Sequence, residues 1–320
     1  MTAGVRRVAV TGASGYIGTQ LIRYLDAQDE VDHILATDIR RLRQKFSSKV
    51  QFIDHDVTEP FQELFQRHDI DAVAHLAFVL QPGHDADRIR SVNVGGAMNV
   101  MGACVGTGVR QLVCLSSTTV YGAHADNLPL LTEESPLRPV KGFIYGENKA
   151  EIEARLQDFR TSQPELSVSV LRTCPVLGPN ADNYVARSLS RSRLVGFRGH
   201  NLQMQFLHED DMSRILAYCL FNGVDGTYNV AGVGSVGWEE MAQLGGQRLL
   251  KLPGPLLRAL TGLTWAARLQ SSSDASALEL IRYPFLASTE KLEREHGLKA
   301  KKSSRDTWLA FVESNGRQKQ

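Results

Sequence analysis

The sequence predicts an α/β fold, a doubly wound parallel sheet with a smaller C-terminal lobe, on three observations. Short β-branched runs alternate with helical apolar spacing through the first half of the chain. A glycine-rich turn joins the first run to the first helical segment, and the alternation becomes irregular after Pro175. The chain has 320 residues, enough at ~150 residues per domain for about two domains around a sizeable core.

Taken in order, Arg7–Thr11 is a short β-branched run and residues 16–25 have apolar spacing that suits a helix. Further strands are expected at 33–37, 50–53, 72–76, 111–116 and 168–171, with helices over 87–104 and 145–159. Such βαβ alternation places ligands outside the carboxyl ends of the strands. Beyond Pro175, residues 184–192 and 210–221 read as helices and 227–230 as a strand that returns to the sheet. The segment from about Val233 onward reads as short helices with a Lys-rich tail. These patterns divide the chain into a dinucleotide-binding unit over 1–175, with 205–232 rejoining it, and a substrate-binding lobe over 176–204 and 233–320.

Composition narrows the function. Lys+Arg number 36 and Asp+Glu 35, so no overall positive field exists to gather nucleic acid or anionic lipid. Cys104, Cys114, Cys174 and Cys219 form no C-x-x-C pair, so no metal site or disulfide framework is expected. The residues from Met1 onward lack an apolar leader and a cleavage site, which predicts a cytoplasmic protein. Residues 249–269 are apolar but interrupted by Lys251, Pro253, Pro255, Arg258 and Arg268. They fall short of the ~20 uninterrupted apolar residues of a membrane span and read as an amphipathic helix over the core or a ligand pocket.

Thr11-Gly12-Ala13-Ser14-Gly15-Tyr16-Ile17-Gly18 lies between the first strand and first helix. Its glycines allow a tight turn, and the helix start offers free N–H groups to a pyrophosphate. The second strand ends in Asp38, twenty residues after Gly18, where a carboxylate can bind both hydroxyls of an adenosine ribose. Together they predict a Rossmann-type site that prefers NAD, since Asp38 repels a 2′-phosphate. Arg40 and Arg41 lie close enough to qualify that preference.

Tyr145 and Lys149 stand at i and i+4 of an expected helix and share one face. An ammonium beside a phenol favours the phenolate, so Tyr145 is expected to exchange protons near neutral pH. The strand over 111–116 runs into Ser116-Ser117, whose hydroxyls can meet a substrate oxygen.

These residues resemble the extended short-chain dehydrogenase/reductase family, also called the NAD-dependent epimerase/dehydratase family, of which UDP-galactose 4-epimerase is a member. The resemblance spans nearly the whole chain: TGASGYIG, Asp38, Asp56-Val57, His75-Leu76-Ala77, Asn93, SSTTVYG, Glu133-Glu-Ser-Pro136, YGENK, Arg172 and Phe206-Leu-His208-Glu-Asp-Asp211. It implies that Tyr145 is the acid/base, Lys149 binds the nicotinamide ribose, and Ser117 meets the substrate hydroxyl. For the cofactor it implies Gly12, Ser14, Gly15, Tyr16, Ile17 and Gly18 at the phosphates, with Asp56 and Val57 beside adenine. Leu76 and Ala77 would line the cofactor path, Asn93 would place the central helix, and Cys174 would border the site. A homodimer built on the helices containing Asn93 and Tyr145 is the family pattern.

Some positions depart from that pattern. Thr118-Thr119 stand where 4,6-dehydratases of the family carry Asp-Glu, and a hydroxyl is a poor general acid, so dehydration is not expected. Met204 replaces the arginine that binds a nucleotide diphosphate, and Pro175 stands where sugar epimerases often have asparagine. Arg187, Arg191, Arg193 and Arg198 are nearby cations that could substitute. The leading expectation is therefore an NAD-dependent oxidoreductase or epimerase acting at a carbinol carbon of a small molecule, with nucleotide sugars first. A dehydrogenase or reductase of a hydrophobic alcohol or ketone is the alternative, and a non-catalytic NAD-sensing scaffold a third reading.

Overall fold

A computed structural model describes residues 7–269 and 275–317. The N-terminal residues 1–6, read above for a leader, lie outside that range. Seven parallel strands form the central sheet, and most of their buried side chains are apolar. β1 (Arg7–Thr11), β2 (His33–Asp38), β3 (Val50–Asp54), β4 (Ala72–His75), β5 (Gln111–Ser117), β6 (Ser167–Thr173) and a late strand, Gly226–Val230, lie in the order late strand-β6-β5-β4-β1-β2-β3. β4, an unbroken buried Ala-Val-Ala-His run, sits mid-sheet, as expected of a strand covered on both faces. The order reverses between β1 and β4, which opens a crevice at their carboxyl ends.

Helices cover both faces. α1 (Tyr16–Asp26) and a later helix over Glu209–Asn222 pack on one side, where Leu21, Ile22, Leu25, Ile215, Leu216 and Leu220 are buried together. The other side carries α2 (Gln62–Arg67), α3 (Ala86–Arg90), α4 (Gly96–Cys104) and α5 (Ile144–Ser162), with Phe65, Val100, Met101, Ile152 and Leu156 in its core. The single helix expected over 87–104 is interrupted by a π-helical turn at Ser91–Gly95. There the Asn93 side chain turns inward: it accepts the Val79 N–H at 2.7 Å and donates to the Val79 carbonyl at 3.4 Å. Gly96 then lets the helix touch Val57, since a Cβ there would lie 2.6 Å from a valine methyl.

After β6 the chain makes β7 (Val176–Leu177), α6 (Tyr184–Leu189), β8 (Arg193–Phe197), β9 (Gln203–Met204) and β10 (Leu207–His208). α7 (Glu209–Asn222) follows, then β11 (Gly226–Val230), the late strand, which pairs with β6. β12 (Val236–Gly237), α8 (Trp238–Leu244), β13 (Arg248–Leu252), α9 (Gly254–Ala266), α10 (Glu290–His296) and α11 (Ser304–Arg317) complete the order. Two expectations are corrected here. The helix over 184–192 stops at Leu189 and gives way to β8, and residues 249–269 divide into the end of β13 and α9 rather than one helix. β8 and β13 pair in parallel, from Arg193 with Arg248 to Phe197 with Leu252. That long-range pairing has no local signature. A second core, apart from those on the two faces of the sheet, gathers Phe206, Leu202, Val236, Trp238, Met241, Trp308 and Phe311.

Candidate active site

The turn after β1 is built for close approach. Gly12 has φ +69°, and a Cβ on it would lie 2.6 Å from the Ala77 nitrogen, so a side chain is both strained and obstructed there. Gly15 caps α1 with no side-chain partner, which leaves the first N–H groups of the helix available to an anion. Leu76 and Ala77 are pinned against this loop by their N–H groups, which donate to the Thr11 hydroxyl at 3.3 Å each. His75 Nδ1 lies 2.9 Å from the same hydroxyl. Burial pushes the His75 imidazole down to about 3, so it is neutral.

Asp38 sits at the carboxyl end of β2 and is almost wholly buried. Its carboxylate accepts the Ser14 N–H at 3.1 Å and the Arg40 N–H at 3.0 Å, with Arg40 Nε 3.5 Å away. Arg40 is thus folded back on Asp38. Arg41 points elsewhere and, with Leu42, Phe46, Val50 and Phe52, borders an open cavity of about 490 Å3 at the sheet edge. Asp56 is occupied within its own turn, accepting from the Thr58 N–H and hydroxyl at 2.9 and 2.8 Å, and Val57 is buried against α4. Cys174 is a core residue beside Leu171, Val176 and Leu207, and burial raises its thiol to about 12.

Ser117, Tyr145 and Lys149 meet where β5 ends and α5 begins. Ser117 Oγ accepts the Thr119 N–H at 3.2 Å and the Thr119 hydroxyl at 3.0 Å. Lys149 Nζ donates to the Leu115 carbonyl at 2.6 Å and lies 3.7 Å from the Phe78 ring centre and 5.9 Å from that of Tyr145. The expected lowering of the phenol pKa is not found in the protein alone. Burial raises Tyr145 to about 12 against the lowering effect of Ser117, while burial also draws Lys149 down to about 7. Desolvation penalises each charged form more than the pair gains at this separation.

Beneath these groups lies a buried polar network. Arg172 donates to Glu153 at 2.7 and 2.9 Å, to the Tyr121 hydroxyl at 2.9 Å and to the Glu133 carbonyl at 3.0 Å. Tyr121 donates to Asn229 at 2.7 Å, and the Ser116 hydroxyl donates to Glu153. Glu153, one turn past Lys149, was not foreseen; its signal was a carboxylate on the buried face of α5. Sequence reasoning also missed Glu209, which accepts the Tyr16 hydroxyl and the Asn180 side-chain amide at 2.5 Å each, tying α1 to the loop after β7. Glu209 drives the already buried Tyr16 phenol further above its usual range.

The wall facing Tyr145 is mostly apolar. A small cavity of about 30 Å3 beside its ring is lined by Val79, Leu80, Gln81, Pro82, Ile89, Phe143 and Trp265, and Trp265 stacks on His84 with ring centres 4.2 Å apart. No charged side chain lines that cavity among the described residues. Met204 is half-buried against the second core. Of the arginines expected nearby, Arg187 pairs with Asp182 at 2.9 Å on the surface, and Arg191, Arg193 and Arg198 are exposed.

The model of the NAD dependent epimerase/dehydratase family matches residues 8–239. An uncharacterized protein of Mycobacterium tuberculosis is 26% identical over 269 residues, 80% of this chain and 70% of that one. A 3 beta-hydroxysteroid dehydrogenase/Delta 5-->4-isomerase of Monkeypox virus is 27% identical over 148 residues, 44% of this chain and 42% of that one. Among solved structures, the Thermus thermophilus UDP-glucose 4-epimerase in complex with NAD superposes with a TM-score of 0.75 at 22% identity, covering 96% of this chain and 98% of that one.

Proposed function

The chain belongs to the NAD dependent epimerase/dehydratase family, and from that premise we propose that it oxidises a carbinol, or reduces the matching ketone, in a largely apolar molecule. The cofactor is NAD, and the glycine cradle against Ala77, the uncapped start of α1 and Asp38 fit it. When bound, NAD supplies the acceptor for the hydride that leaves the carbinol carbon. Tyr16 and Ile17 would present N–H groups to the pyrophosphate beside Gly15, Asp38 would take the adenosine ribose, Asp56 and Val57 would flank the adenine, and Lys149 would reach the other ribose. The unit over 1–175 and 205–232 carries this work, and the lobe over 176–204 and 233–320 closes over the substrate.

Ser117 orients the substrate oxygen and Tyr145 transfers its proton. With a pKa of about 12, the Tyr145 phenol is a proton donor at neutral pH, which suits ketone reduction. Carbinol oxidation needs the phenolate and therefore the Lys149 ammonium close to it. The observation that carries the substrate class is the apolar wall beside Tyr145, with Met204 standing where a diphosphate would require a cation. A second reading, epimerisation of a nucleotide sugar, is favoured by the fold shared with the Thermus thermophilus epimerase over almost the whole chain.

Tyr145→Phe tests the mechanism. It is expected to abolish NADH-linked turnover of hydrophobic ketones while NAD binding stays near the wild-type level; turnover equal to wild type would sink the proposal. Assaying wild type on nucleotide sugars in parallel decides between the two substrate readings.

A further inference from the structure

The wall beside Tyr145 encloses almost no free space. Phe78 and Phe143 lie against the Tyr145 ring with centres 5.1 and 5.8 Å away. The cavity that Tyr145 and Trp265 both line measures about 30 Å3, room for roughly one or two water molecules. A pocket that takes an organic ligand commonly measures ~300–1,000 Å3. A molecule whose apolar body is to lie on this wall therefore has to displace one of the groups that line it.

Much of that lining is fixed through the backbone. Asn93 holds the Val79 N–H at 2.7 Å, the Phe143 N–H donates to the Val140 carbonyl at 2.9 Å, and Ile144 and Tyr145 open α5. Trp265 is placed differently. It stands in the last turn of α9, whose start is anchored by Leu257 beside Phe197 and Leu278, while Leu260 and Leu263 of the same helix are exposed. The half-buried indole stacks on the exposed His84 imidazole, with ring centres 4.2 Å and planes 26° apart. His84 lies in the loop between β4 and α3, one residue before Asp85, whose carboxylate caps α3 by accepting the Arg88 N–H at 3.0 Å. An imidazole anchored next to one helix start thus holds down the end of another helix that is packed from one side, and a ring stack of this kind can part while the core stays intact.

We propose that Trp265 is the gate of the substrate cleft and His84 its latch. When the two rings part the indole swings out, and the apolar body of the substrate takes its place against Val79, Leu80 and Ile89. Trp265 then sets the size of the body that the site accepts, because every molecule larger than the closed cavity must keep the stack apart while it is bound. The gate rests on the cavity and the stack; its use in selecting a ketone rests on the function proposed above.

Both arms of the test use the full chain. Trp238 and Trp308, the other tryptophans, are 4% and 0% exposed, so the emission lost on Trp265→Phe, in either background, reports Trp265. His84→Ala is expected to raise the acrylamide quenching constant of that component about threefold, the scale on which one aromatic contact shifts a balance between closed and open. An unchanged constant overturns the latch and with it the proposal. The second arm follows NADH-linked turnover of cyclohexanone and of the fused-ring ketone decalone. Trp265→Ala is expected to raise the preference for decalone, as the ratio of kcat/KM values, about tenfold over wild type, the scale on which a few methylenes discriminate. Trp265→Phe should fall between the two, with NADH affinity unchanged in all three as proof of folding. A wild-type size preference in Trp265→Ala overturns the gate. Raised quenching in His84→Ala without turnover of any hydrophobic ketone would overturn only the function proposed above.

Discussion

At the scale of single residues, Asp38, proposed above to take the adenosine ribose, is already held in place before any cofactor arrives. Its carboxylate already holds the Ser14 N–H of the phosphate loop and the Arg40 N–H, so it ties that loop to the end of β2. Arg40 Nε faces that carboxylate from 3.5 Å; once the carboxylate is gone, the guanidinium becomes free to meet a phosphate. Asp38→Ala is therefore expected to shift the ratio of NAD to NADP affinity toward NADP by about tenfold or more, roughly one charge-assisted hydrogen bond. Equal ratios in titrations of wild type and variant would remove Asp38 from that role. The residue was legible in the sequence because its spacing from Gly18 is a property of one βαβ unit. Its bond to Arg40 was not, since charges two residues apart can as easily face water.

At the scale of elements, the end of β5 and the start of α5 must be held together for Ser117 to reach Tyr145, and the Arg172–Glu153 pair does this from below. Both partners are almost fully buried, and their bonds reach Tyr121 and Ser116. Removing one partner strands a buried charge, whereas removing both does not. Arg172→Leu is expected to cost roughly 3–5 kcal/mol of unfolding free energy in a denaturant titration, and Arg172→Leu with Glu153→Leu clearly less. A double variant less stable than the single one would show that the network contributes packing and not charge compensation. Among the helices, the break at Ser91–Gly95 had a local cue in Gly95-Gly96, yet what bends the chain there is Asn93 turning to Val79, a contact across a loop. The β8 and β13 pairing joins segments about fifty residues apart, and no period in either segment announces its partner.

For the whole molecule, burial decides the protonation of the central pair. The unfolded chain keeps the Lys149 proton up to a pKa near ~10.4, while burial brings the folded value to about 7. Between those values the unfolded state binds more protons, so this residue makes the NAD-free protein gain stability as pH rises from about 7 toward 10. Lys149→Met is expected to flatten that rise in melting temperatures measured across the same range without NAD. An identical pH profile for the two proteins would show that Lys149 is solvated in the free enzyme. Distant segments also meet at Glu209 on α7, which gathers Tyr16 from α1 and Asn180 from the loop after β7.

The sequence by itself determined the parallel sheet, the glycine turn with its acid at the next strand end, and the Tyr145–Lys149 face, because each rests on spacing within one or two adjacent elements. Only the tertiary structure decided which way the Tyr145 and Lys149 pKa values move, that Glu153 and Glu209 are buried anchors, that the wall before Tyr145 is mostly apolar, and that α9 leaves its leucines in the open. Desolvation and exposure are sums over atoms brought close from distant parts of the chain, and no local pattern carries those sums.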